Sequence, residues 1–142
     1  MEQARQPGPE HRELLEELGL EPGALVQEWG EDDDVDHTLR GDLAAALGEE
    51  LLAEEDQEPA DAVLAWWRHE DGDATDLADL LVDVQRSLDG GPVWLLTPRT
   101  GRAGHVRPAD VEEAAVTAGL TVTTRAGVSE DWSAVRLVSR GG

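Results

Sequence analysis

The 142-residue chain has no cysteine, so disulfides, thiolate nucleophiles and cysteine-ligated zinc or iron–sulfur sites are excluded from the outset. Its eleven basic side chains are all arginine. Without lysine there is no Walker A phosphate loop, and neither G-x-G-x-x-G nor a G-x-S-x-G nucleophile elbow occurs. Phenylalanine and tyrosine are also absent, so five tryptophans supply every large aromatic ring. No apolar run approaches the length of a membrane span, and the opening "MEQARQPGPEHRELLEELG" has no apolar core of a signal peptide. A cytoplasmic location is the expectation.

Positive charge is scarce. Eleven arginines stand against 32 acids, a formal net charge of −21. Residues 1–91 hold 27 acids and 5 arginines, whereas residues 92–142 hold 5 acids and 6 arginines, so the first part carries about −22 and the last about +1. Such a balance opposes nucleic-acid phosphates and anionic membrane surfaces and favours cationic partners. Any capacity to bind an anion is confined to the last third.

The length fits one domain. Residues 1–9, with two prolines and no apolar periodicity, read as a disordered tail, and residues 10–140 as a single α/β domain. From Glu10, the leucines 14, 15 and 18 form one helical face that Gly19 ends. "ALVQEW" (24–29) reads as a strand, and Val35, Leu39, Leu43, Ala46 and Leu47 as a helix over about 35–47. Leu51 and Leu52 suit a short edge strand or a turn. "DAVLAWWR" is a nearly continuous apolar run, as in a strand covered on both faces. Asp73 or Thr75 caps a helix striped by Leu77, Leu80, Leu81, Val84 and Leu88, with Leu81 expected against Val63, Leu64 or Leu95. "PVWLLTP" (92–98) is a second buried strand, Pro108 opens another helix, and "LTVTTRAGV" and "WSAVRLVS" around "SED" form a hairpin.

Strands alternating with helices imply βαβ units and therefore a Rossmann-like three-layer sandwich, with a mainly parallel sheet and a C-terminal antiparallel hairpin. Ligands of such sheets bind outside the carboxyl ends of the strands. Trp66, Trp67 and Arg68 fall at one such end, and Thr97 and Arg99 at its neighbour. The two tryptophans either pack at the sheet edge or wall a crevice. Trp94 and Trp132 read as core or cover.

The segments "LGLEPGALVQEWG", "ADAVLAWWR", "GPVWLLTPRTGRAGHV" and "AGLTVTTRAGVSEDWSAVRLV" resemble, over roughly residues 13–140, the actinobacterial members of a family of unknown function, DUF3052. The order of elements is also loosely similar to a trimmed class I methyltransferase sheet. That resemblance implies an S-adenosylmethionine site, which needs a glycine-rich turn after the first strand. Here Trp29-Gly30-Glu31-Asp32-Asp33-Asp34 offers one glycine and a wall of carboxylates, so no cofactor is expected.

No catalytic constellation is legible. His11, His37, His69 and His105 are isolated, and the acidic run Glu31 to Asp36 lacks the glycine and terminal glutamate of an EF-hand, so it reads as a solvated loop and no metal site is assigned. The loop after "LLTP" concentrates cations in an acidic protein: Thr97, Arg99, Gly101, Arg102, Gly104, His105 and Arg107. Its glycines let backbone curl around a bound group, and its arginines suit phosphate or carboxylate, docked against Trp66 or Trp67. The competing reading is that the protein's own acids fill the loop. The chain is therefore expected to be a non-enzymatic regulatory or protein-interaction domain. The alternative is a sensor or enzyme binding an anionic metabolite or nucleotide through the loop 97–107.

Overall fold

A computed structural model describes residues 9–88 and 90–139 of the chain. The elements are α1 (Pro9–Leu18), β1 (Val26–Trp29), α2 (His37–Leu47), β2 (Ala62–Trp66), one 3-10 turn (His69–Asp71), α3 (Ala74–Gln85), β3 (Val93–Pro98), α4 (Pro108–Thr117), β4 (Leu120–Ala126) and β5 (Trp132–Ser139). The expected tail lies outside the described residues except for Pro9, which opens α1. Asp36 caps α2 by accepting the Leu39 N–H, and Asp73, not Thr75, caps α3 in a reciprocal box with Asp76. Helix α3 stops at Gln85, so Leu88 leaves the helical stripe and bridges Ala60 instead.

One five-stranded sheet runs in the order β1-β2-β3-β5-β4. The pairs β1–β2 and β2–β3 are parallel, while β3–β5 and β4–β5 are antiparallel. The sheet is therefore mixed, which corrects the expectation of a mainly parallel one. The cause is the short turn between β4 and β5: it is far too short for a crossover, so β5 returns antiparallel and inserts between β3 and β4.

Helices α1 and α2 cover one face of the sheet, α3 and α4 the other, in three layers. Strand alternation sorts the core. Leu64, Trp66, Trp94 and Leu96 face α1 and α2, while Val63, Ala65, Val93 and Leu95 face α3 and α4. Leu81 is buried in the cluster of Val63 and Leu95 as expected, and Leu64 points the opposite way.

After α2 the chain does not pass straight to β2. Leu52 makes a parallel bridge to Gln27 on the outer side of β1, with Glu28 N–H to Leu52 O and Leu52 N–H to Val26 O both 2.8 Å. The Leu51–Leu52 segment is thus a single-bridge edge. Helix α2 carries the chain to one side and α3 to the other, with the helices on opposite faces. The right-handed crossover rule therefore puts a topological switch point between β1 and β2, the position where open α/β sheets hold ligands.

Candidate functional site: a crevice closed by Arg68

At this switch point the two turns touch. Gly30, just after β1, has φ +78°, and a Cβ there would lie 2.3 Å from the Trp66 carbonyl oxygen. Only glycine lets the backbone approach so closely. Arg68, just after β2, fills the remaining space with a side chain only 8% exposed. Its Nε and Nη2 donate to the two carboxylate oxygens of Asp34 at 2.9 and 2.5 Å, and its Nη1 donates to Gly30 O at 2.7 Å. The Asp71 carboxylate accepts the Arg68 backbone N–H at 2.9 Å, and the guanidinium lies 5.3 Å from the Trp132 ring centroid. Hydrogen bonds from Arg68 hold the Asp34 carboxyl below its ordinary value despite partial burial. Burial works against the Arg68 charge, but Asp34 and Asp71 outweigh it and raise the group above its ordinary value.

Beneath this pair lies a second one. Glu28 sits on β1 facing α2 and is almost wholly buried. It accepts Arg40 Nε and Nη2 at 2.6 and 2.8 Å and Trp66 Nε1 at 2.8 Å. The bond to Glu28 raises Arg40 above its ordinary value. Trp66 also packs edge-to-face on Trp132, with centroids 4.9 Å apart and planes at 83°.

The residues expected from sequence divide between several places. Trp66 is 1% exposed and points into the α1/α2 core, whereas Trp67 is half-buried against the α3/α4 core, so the two rings do not line one crevice. Trp67, His69 and Arg107 border a cavity of about 310 Å³ between the starts of α3 and α4. Thr97 and His105 border another of about 230 Å³, with His105 Nδ1 2.9 Å from the Pro98 carbonyl oxygen. The three loop arginines meet the protein's own acceptors: Arg99 Nη2 donates to Ser129 O at 2.8 Å, Arg102 pairs with Asp131 at 2.8 Å, and Arg107 pairs with Asp110 at 3.3 Å. Gly101 and Gly104 both take positive φ. The Gly104 carbonyl accepts the His69 N–H at 2.9 Å, which ties this loop to the turn after β2.

Sequence reasoning missed Glu28, Asp34 and Arg40. The signal for Glu28 was "VQEW", two polar residues inside a covered strand, which alternation must bury one on each face. Its neighbour Gln27 is fully buried and holds the Ala53, Glu54 and Asp56 carbonyls through Nε2. Among the described residues, no three His, Asp or Glu side chains are placed to hold a metal ion, and no helix is long and apolar enough to cross a membrane. The side chain of His11 lies outside the described residues. A separate open groove of about 910 Å³ lies between α1, the start of α2 and the β4–β5 turn.

The fold matches that of solved methyltransferases at low sequence identity. Magnesium protoporphyrin IX methyltransferase from Synechocystis PCC 6803, solved with bound SAM, superposes with a TM-score of 0.59 at 12% identity, covering 89% of this chain and 75% of that one. The N,N-8-amino-8-demethyl-D-riboflavin dimethyltransferase from Streptomyces davawensis gives 0.52 at 16% identity over 89% of this chain and 44% of its own. Uncharacterized proteins of Mycobacterium bovis and Mycobacterium tuberculosis are 46% identical over 122 residues, 85% of this chain and 75% of theirs. Residues 15–141 match the family described as "Protein of unknown function (DUF3052)", and the chain belongs to that family.

Proposed function

We propose that this chain is a non-enzymatic regulatory or protein-interaction module, built on a methyltransferase-like scaffold whose ligand crevice its own side chains have closed. One observation carries the reading: Arg68 occupies the switch point, held by Asp34 and Gly30. A ligand entering there must displace a bidentate ion pair, and the guanidinium left behind has lost both its anion and a carbonyl. Stranding buried polar groups in this way costs on the order of 1–3 kcal/mol, and more for charged ones. The carboxylates Glu31, Asp32 and Asp33 beside it repel phosphate and carboxylate groups. Arg102 and Arg107 pair with Asp131 and Asp110 and Arg99 donates to the Ser129 carbonyl, so an anion at the loop competes with the protein's own acceptors.

The test is thermal unfolding with S-adenosylmethionine, S-adenosylhomocysteine, ATP and inorganic phosphate at millimolar concentration. The melting temperature should stay unchanged with all four. A saturable rise with any of them, reduced by Arg68→Met or by Arg99→Ala with Arg102→Ala, overturns the reading.

A further inference from the structure

The open groove of about 910 Å³ lies on the α1/α2 face, beside the closed crevice, and the crevice chemistry does not use it. Leu14 of α1 and Val128 of the β4–β5 turn, both half-buried, bring apolar surface to its floor. Four rim acids, Glu13, Glu17, Asp36 and Glu130, line it together with Asp42 and His37, and no arginine does. The carboxylates Asp34 and Asp131 at its edge already hold Arg68 and Arg102. Among the described residues, the four rim acids carry no ion pair, although Glu17 accepts the Gly127 N–H and Asp36 the Leu39 N–H and Ser129 hydroxyl. Like charges around a low-dielectric concavity focus a negative potential, and the apolar floor adds an affinity that a small hydrated cation cannot use. Apolar surface beside unpaired acids suits a ligand that is apolar on one side and cationic on the other, which is how an amphipathic helix is laid into a groove.

We propose that this groove docks a cationic amphipathic helix of a partner protein, with its leucine-type side chains on Leu14 and Val128 and its arginines or lysines against Glu13, Glu17 and Glu130. The proposal rests on the interaction reading above and names the surface and the chemistry of its partner. The probe is a labelled synthetic peptide with leucine at i, i+3, i+4 and i+7 and arginine elsewhere. Its controls are a scramble of the same composition and a version with glutamate for arginine. Fluorescence anisotropy at physiological salt should show saturable binding of the amphipathic peptide, weak binding of the scramble and none of the acidic version.

Glu13→Arg with Glu130→Arg, both at exposed positions, should weaken binding by roughly tenfold or more. Asp79→Arg with Glu112→Arg makes the same charge change on the α3/α4 side and should have little effect, because such distant charges are screened. Val128→Ser should weaken binding without changing its salt dependence. No binding, equal binding of the scramble, or equal losses in the two charge-reversed variants each overturn the proposal. Those outcomes leave the closed-crevice reading standing, because only a response to adenosyl ligands or phosphate removes it.

Discussion

The two faces of the sheet are held by different physics. On the α3/α4 face the core beneath the helices is mostly aliphatic, with Leu77, Leu81, Val84, Val63, Leu95, Val111 and small alanines joined by non-directional burial, and with polar bonds from Gln27 and Trp29 at the outer strand. On the α1/α2 face three indoles, Trp66, Trp94 and Trp132, are buried together with a carboxylate. There two of the indole N–H groups point at chosen atoms. Trp94 Nε1 donates to Leu18 O at 3.0 Å and fixes the end of α1, while Glu28 joins Trp66 to Arg40 and fixes α2. The aliphatic face supplies stability that tolerates small shifts. The polar face sets where α1 and α2 stand, and these are the helices that border the acidic groove.

Substitutions can break this contrast. The largest expected effect is on the aliphatic side: Leu81→Ala should cost about 2–5 kcal/mol in urea unfolding through lost transfer energy and a cavity. A loss under about 0.5 kcal/mol would show that α3 is not seated on the sheet. Next, Arg40→Met should cost about 1–3 kcal/mol, because it leaves the Glu28 carboxylate buried with only the Trp66 N–H. Adding Glu28→Gln removes the stranded charge and keeps an acceptor for the indole, so the double variant should be more stable than Arg40→Met alone. The reverse order of stabilities would mean that the pair does not govern this face.

A smaller effect depends on pH. Arg68 lowers the Asp34 carboxyl in the folded state, so the pair contributes stability above the unfolded carboxylate value of about 3.9 and loses it as pH falls through the lowered folded value. Asp34 is 52% exposed, so Asp34→Asn should cost under about 1 kcal/mol at neutral pH, and the gap to wild type should close in acid. A gap that stays constant down to acid pH would show that the pair contributes through shape alone. The smallest effect belongs to Arg102→Ala. Its partner Asp131 is as exposed as it is, so the unfolding free energy should change by no more than about 0.5 kcal/mol.

Much of the fold could be read from local pattern. The helix stops at Gly19, Gly48 and Gly119, the proline at the start of α4 and the apolar run of β2 each match an observed boundary within a few residues. The strand order could not, because whether a hairpin extends a sheet or inserts beside an existing strand depends on pairing between distant segments. The site was harder still. Arg68 and Asp34 are separated by 34 residues, and with 27 acids in the first 91 positions no local rule singles out the one that arginine meets. The loop arginines drew attention because cations are rare in this chain; Arg102 and Arg107 pair with Asp131 and Asp110, while Arg99 donates to the Ser129 carbonyl. The adjacent tryptophans were read as packing at the sheet edge or walling a crevice, and the two-residue period of a strand sends them to opposite faces.

The place of β5 also governs how the chain can be made. It is the last of the five strands in chain order, yet it lies inside the sheet, between β3 and β4. As the polypeptide leaves the ribosome, β3 presents a bare edge and β4 has nothing to pair with until Trp132–Ser139 emerges. Until β5 is in place the chain is most open to edge-to-edge association with its neighbours.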